Sequence, residues 1–169
     1  MKILVLSDSH ASLRFMRFAL EKLKPDHVIH LGDHYDDGKA LAEENPRILF
    51  HQVPGNCDKY RCEPWLPDIL CYPIGGVKIF MTHGHKLGLK SGPYRLLADA
   101  RKSGAALVLY GHTHHPDCHQ EEDGLWVMNP GTCGSDGGSV GLVEISDAKI
   151  SACHILRQTE ISQNESERK

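Results

Sequence analysis

The chain has 169 residues, enough to bury a substantial core without disulfides or a structural metal. Its formal net charge of −3 argues against a broad basic footprint for nucleic acid, and no apolar stretch reaches the roughly 18 residues that span a bilayer. The strand-like N-terminus meets Asp8 too early for a secretory signal, so a cytoplasmic location is expected.

The first apolar run, 2–7, reads as a buried strand that ends in Asp8 and His10. Leu13, Phe15, Met16, Ala19, Leu20 and Leu23 then recur at helical spacing, with Ser12 as the expected N-cap and Lys24-Pro25 as the stop. A second strand over 27–32 runs into Asp33. A helix over 37–44 follows, with Asp36 and Asp37 read as its caps. A third strand over 48–53 reaches Asn56 after the Pro54-Gly55 turn. This β-α-β-α-β opening predicts parallel strands with crossover helices. Residues 59–73, with Trp65 and three prolines, read as an irregular loop.

In the second half, a strand over 77–82 ends at His83, and a helix over 93–102 has Pro93 at its first position and Gly104 at its stop. A strand over 107–111 ends at His112 and His114. Strand-like runs at 117–120, 125–128, 140–145 and 149–156 are separated by turn signals and suggest hairpins. Residues 158–169 are polar and aperiodic, which predicts a frayed tail after a single domain over 1–157. Six cysteines without a C-x-x-C pair are expected to be reduced, as small buried or half-buried residues.

Five strand exits therefore carry seven ligand-type residues: Asp8, His10, Asp33, Asn56, His83, His112 and His114. In open α/β sheets the ligand site lies beyond the carboxyl ends of the strands, so parallel neighbours would gather all seven in one crevice. Singly, each has a blander reading, as a helix cap, an Asn turn or a surface imidazole. The two glycine-flanked pairs, His83-Gly84-His85 and Gly111-His112-Thr113-His114, are poor strand or helix interior and suit loops that present imidazoles to a cation. Nitrogen and oxygen donors without a thiolate favour a catalytic transition metal over a Cys-rich structural zinc site. Manganese is placed first, with nickel, zinc, iron or cobalt as alternatives; at least three imidazoles argue against magnesium or calcium alone. Seven ligands are too many for one four-coordinate ion but suffice for two ions sharing a carboxylate. The other histidines, His27, His30, His34, His51, His115, His119 and His154, read as structural or exposed.

Asp8-x-His10, Gly32-Asp33-x-x-Asp36, Gly55-Asn56-x-Asp58, His83-Gly84-His85 and Gly111-His112-Thr113-His114 resemble the five ordered motifs of the calcineurin-like metallophosphoesterases. Asn129-Pro130-Gly131-Thr132 looks like a loop of their small bacterial and archaeal phosphodiesterase branch. The resemblance implies an α/β fold, a four-layer αββα sandwich in which two mixed β-sheets pack face to face, flanked by helices. It also implies a phosphodiesterase that hydrolyses small phosphodiesters by attack of a metal-bridging hydroxide at a dinuclear centre. One metal would take Asp8, His10, Asp33 and His114, the other Asp33, Asn56, His83 and His112, with Asp33 bridging. Asn56 and His85 are expected to position the phosphate.

One position departs from the larger relatives, which carry a histidine where this chain has Cys57. A thiol is a poor general acid near pH 7. The small branch commonly shows the same cysteine, and packing is a slightly better reading of it than chemistry. Two alternatives are a phosphomonoesterase and a non-catalytic metal-binding scaffold resembling the retromer subunit of this fold, although that subunit has lost some ligands and this chain keeps all seven. The absence of Gly-x-Ser-x-Gly and Gly-x-Gly-x-x-Gly argues against a serine hydrolase and a dinucleotide-binding fold. Loops 59–73, 86–94 and 133–139 are expected to frame the pocket mouth. A small phosphodiester or nucleotide-like substrate is expected, with no membrane partner. A homo-oligomer is left open, with Trp65 as an interface residue or pocket lid.

Overall fold

The computed structural model describes residues 1–60, 62–134 and 137–163. The first strand shows how the layers arise. β1 (Lys2–Leu6) is apolar at consecutive positions because both of its faces are covered. Ile3 and Val5 point into a core shared by two sheets, whereas Leu4 and Leu6 pack against helices. Together with β2 (His27–His30), β3 (Leu49–Gln52), β9 (Ser139–Ser146) and β10 (Lys149–Arg157) it forms one sheet in the order β10-β9-β1-β2-β3. The pairs β1–β2 and β2–β3 are parallel; β9 runs antiparallel to both of its neighbours.

The second sheet has the order β4-β5-β6-β8-β7, from β4 (Ile69–Ile74), β5 (Val77–Thr82), β6 (Leu107–Leu109), β7 (Asp117–Gln120) and β8 (Trp126–Asn129). Its centre, β5-β6-β8, is parallel, and β4 and β7 close the edges antiparallel. Ile3, Val5, Ile29 and Val143 of the first sheet meet Ile79, Met81, Leu109 and Met128 of the second in one buried cluster. Outside the first sheet lie α1 (Leu13–Leu23), α2 (Tyr35–Glu44) and α4 (Gln158–Gln163), which contribute Phe15, Met16, Leu41 and Ile161 to its outer core. Outside the second lies α3 (Tyr94–Ser103), through Leu96, Leu97 and Ala100. The molecule is thus an αββα sandwich.

Several sequence expectations are corrected. The expected loop 59–73 contains β4: Ile69–Ile74 pairs with β5, and Pro73 is tolerated because β4 is an edge strand. Helix α2 begins at Tyr35 rather than 37, because Asp58, reaching over from the segment after β3, accepts the His34 and Tyr35 amides at 2.9 Å each and caps it from outside. Pro93 is the residue before α3 rather than its first turn. The expected tail opens as α4 with Ile161 buried; residues 164–169 lie outside the described residues. The five ligand-bearing strands are not neighbours in one sheet. β1, β2 and β3 end on one sheet and β5 and β6 on the other, so the crevice runs across both.

Candidate metal centre

The sheets meet at their carboxyl ends through close backbone approach. A Cβ on Gly111 would collide with Ser7 Oγ, and a Cβ on Gly55 would collide with the Asp33 carboxylate. Only glycine at these positions lets the loop after β6 press against β1 and the loop after β3 against β2. At the seam, five of the seven candidate ligands have left-handed backbone: Asp8 (φ 55°), His10 (45°), Asp33 (55°), His112 (68°) and His114 (59°). Such conformations cost of order 1 kcal/mol each in non-glycine residues and persist where surrounding structure enforces them.

The enforcing contacts are specific. The Asp8 amide donates to the Gly32 carbonyl at 3.0 Å, and Thr132 Oγ1 donates to the Asp8 carbonyl at 2.8 Å. Asn129 Nδ2 donates to the Gly111 carbonyl and to Thr113 Oγ1, bracing the loop that carries His112 and His114. The Asn-Pro-Gly-Thr segment therefore acts as a strut under the site. Asp37 is not a cap but a cross-loop acceptor: Ser9 Oγ donates to it at 2.7 Å and the Ala11 amide at 2.9 Å. His30, fully buried, contacts Ser9 Oγ at 3.3 Å, and burial pushes its imidazole down to about 4, so it stays neutral. Asp58, Asp37 and His30 could not be assigned these roles from spacing, because each acts across loops distant in sequence.

Asp8, His10, Asp33 and His114 place one donor atom each within 4.8 Å of one another. His114 Nε2 lies 3.0 Å from Asp8 Oδ1 and 3.3 Å from His10 Nε2. Asp8 Oδ2 is satisfied by the Ser7 hydroxyl and the His112 amide, but Oδ1 is buried without a hydrogen bond. A buried carboxylate oxygen left orphaned beside two imidazole nitrogens fits a cation.

The remaining candidates gather on the other side of Asp33. His83 is fully buried, and its Nδ1 donates to the Leu31 carbonyl at 2.8 Å. So fixed, the ring turns its Nε2 towards Asn56 Oδ1 at 3.1 Å and Asp33 Oδ1 at 3.5 Å. Three electron-rich atoms facing one another again fit a cation between them. The His112 ring centroid lies 5.2 Å from that of His83, and burial, then His83, holds His112 below its ordinary pKa, keeping it neutral for ligation. Burial alone would raise the Asp33 carboxyl. The Cys57 amide at 2.8 Å and the neighbouring His83 and His10 outweigh it and keep Asp33 ionised.

His85 stands 5.4 Å from His83 and 6.3 Å from His112 between ring centroids, with its Nδ1 buried and without a hydrogen bond. With Asn56, Lys59, Asp68 and Lys86 it lines a cavity of about 500 Å³ beside the site. The loop after β3 lines this cavity; of the segment 133–139, Gly134 packs against the Ser9 carbonyl, and Ser135 and Asp136 lie outside the described residues. Cys57 is exposed, and desolvation of its sulfur beside Asp33 pushes the thiol up to about 11.

A four-layer α/β sandwich whose strand ends converge on this carboxylate and imidazole set defines a metalloprotein with a site for divalent cations. Comparison with known proteins names the class. The profile of the calcineurin-like phosphoesterase superfamily domain matches residues 1–148. Phosphodiesterase MJ0936 of Methanocaldococcus jannaschii is 33% identical over 152 residues, 79% of this chain and 84% of that protein. The probable metallophosphoesterase YsnB of Bacillus subtilis is 29% identical over 135 residues, 78% of this chain and 75% of that protein. A predicted phosphoesterase of known structure from Streptococcus pneumoniae superposes with a TM-score of 0.74 at 28% identity, covering 94% of this chain and 90% of that one. Vps29 of Entamoeba histolytica, solved with zinc, shares the fold at 20% identity, with a TM-score of 0.69 over 94% of this chain and 99% of its own. The chain belongs to the calcineurin-like phosphoesterase superfamily and is a phosphoesterase hydrolase.

Proposed function

We propose that this chain is a metal-dependent phosphodiesterase acting on small phosphodiesters. The observation that carries the reading is the position of Asp33. It belongs to the Asp8, His10 and His114 group, and its Oδ1 also faces His83 beside Asn56. Asp8, His10, Asp33 and His114 would hold one divalent cation; Asp33, Asn56, His83 and His112 would hold a second. Manganese is the first choice among the metals that suit imidazole and carboxylate. Bound cations supply Lewis-acid stabilisation of phosphoryl oxygens and lower the pKa of water towards neutrality, which removes the need for a side-chain nucleophile.

The protein's own groups then orient the ester. Asn56 and His85 face the cavity and would hold non-bridging phosphoryl oxygens; burial, then His83, keeps His85 below its ordinary pKa, so a neutral ring donates from one nitrogen. Lys59 lines the same cavity and complements the charge of a diester, while Lys86 beside it is paired with Asp68 at 2.6 Å. Cys57, with a thiol at about 11, is too weak an acid to protonate a leaving group. It would serve the site through its amide on Asp33. The phosphodiesterase named among the relatives supports the choice of a diester. A cytoplasmic location goes with six free cysteines.

The test is hydrolysis of an aryl phosphodiester and the matching monoester by metal-stripped protein, before and after adding Mn²⁺, Ni²⁺, Zn²⁺ or Mg²⁺. Turnover restored by a transition metal, faster on the diester and lost in His112→Ala, is expected. Tight metal binding with no turnover of either ester would replace this reading with a scaffold.

A further inference from the structure

The two sheets are bridged at both edges, and the bridges differ in chemistry. At one edge, His51 Nδ1 and the hydroxyl of Tyr72 join β3 to β4 across 2.7 Å. At the opposite edge, β10 of the first sheet and β7 of the second bring Cys153 and Cys118 together, with their sulfurs 3.3 Å apart. Cys153 is 8% exposed and belongs to the inter-sheet core, and Cys118 is half-buried against it. Among the described residues these are the two cysteine sulfurs in hydrogen-bond contact with each other. A cavity of about 440 Å³ opens on the pair, lined also by Asp117, His154, Arg157 and Glu160.

We infer that Cys118 and Cys153 form a reversible dithiol–disulfide clamp that locks the two sheets together under oxidising conditions. A disulfide needs a sulfur–sulfur separation of about 2.05 Å, so closure requires an approach of little more than about 1 Å, within side-chain rotation and small strand movement. The cavity admits a small oxidant to sulfurs that lie at the rim of the core.

The environment also selects the attacking sulfur. The contact between the two sulfurs, with Cys118 Sγ also 3.4 Å from the Cys153 carbonyl, holds the Cys118 thiol below the ordinary value and raises that of Cys153. The other cysteines that shift move the opposite way: Cys57 and Cys62 are pushed up to about 11 and Cys133 to about 12 by desolvation. Because the thiolate is the nucleophile, the half-buried pair should react ahead of the exposed Cys57. With a hydroperoxide as oxidant, the Cys118 thiolate attacks one peroxide oxygen and breaks the O–O bond. It becomes a sulfenic acid while that oxygen is reduced and the other leaves as water or alcohol. The Cys153 sulfur then attacks the sulfenic sulfur, the S–S bond forms, and hydroxide leaves to take up a proton as water. Two thiols and one peroxide thus give one disulfide and two reduced oxygens, and a dithiol reductant returns both electrons.

The closed loop would join residues 35 apart in sequence, long enough for a measurable gain in stability. The experiment treats full-length, metal-loaded protein with one equivalent of hydrogen peroxide, blocks remaining thiols with a maleimide, and maps peptides without reduction. The expected result is a single cross-linked peptide pair containing Cys118 and Cys153, a rise in melting temperature of about 5–10 °C, and full reversal by dithiothreitol. Cys118→Ser and Cys153→Ala should each abolish the cross-link and the rise; either suffices if the other fails to fold. Peptides carrying maleimide on both residues, or first oxidation at Cys57, would overturn the inference. So would a cross-link that leaves the melting temperature unchanged.

Discussion

The two halves of the centre are held by different means. His83 is buried, its far nitrogen is tied to the Leu31 carbonyl, and the Asp33 that it faces is tied to the Cys57 amide. His10 and His114 are exposed, and among the described residues no hydrogen bond reaches the far nitrogen of either ring. Their orientation comes instead from left-handed backbone braced by Asn129, Thr132 and Asp37. One half is preorganised by hydrogen bonds to its ligands, the other by the conformation of the loops that carry them. The first should retain its cation; the second should exchange it with solvent.

The largest expected effect comes from Asp33, which the proposed centre assigns to both halves. Asp33→Asn keeps an acceptor for the Cys57 amide but removes the shared charge. Metal-dependent hydrolysis should fall by about 1,000-fold or more, with an unchanged circular dichroism spectrum. Retained turnover would show that the carboxylate is not shared.

Replacing one ligand in each half sharpens the contrast. At saturating metal, His83→Ala should cost about 100-fold in kcat and His10→Ala about 10-fold, since the exposed position is more readily filled by water. Equal losses would mean that the difference in support has no functional weight.

The buried support itself can be probed by pH. His30 is neutral in the folded protein, at about 4 against 6.5 when free. As pH falls from 6.5 towards 4, the unfolded chain takes up a proton that the native state refuses, so stability is lost on acidification by about 3 kcal/mol. Denaturant melts at pH 7 and pH 4.5 should show a steeper loss in the wild type than in His30→Gln. Parallel slopes would mean that His30 can charge in place.

The smallest effect is at Cys57. Its backbone, not its sulfur, holds Asp33, so Cys57→Ser should change kcat/KM by less than about threefold and leave the pH profile in place. A displaced acidic limb would assign the thiol a proton-transfer role.

The sequence made the strand exits legible because buried parallel strands are apolar runs that stop abruptly at polar loops, as 2–7 does before Asp8. It hid β4, whose Ile69-Leu70-Cys71-Tyr72 is broken by Pro73 and makes sense only at an edge. It showed which residues could ligate a cation but not what holds them. The acceptor for His83 is a main-chain oxygen 52 residues away, and Asp58 caps a helix that begins 23 residues before it. Such contacts have no local spacing to read. The Cys118 and Cys153 pair was invisible for the same reason, since two edge strands from different sheets bring it together.

The most direct test of a shared Asp33 is anomalous diffraction from crystals grown with manganese. Two peaks are predicted, one bounded by Asp8, His10 and His114 and the other by Asn56, His83 and His112, with the Asp33 carboxylate touching both. A single peak, or two peaks of which only one contacts Asp33, would contradict the dinuclear centre.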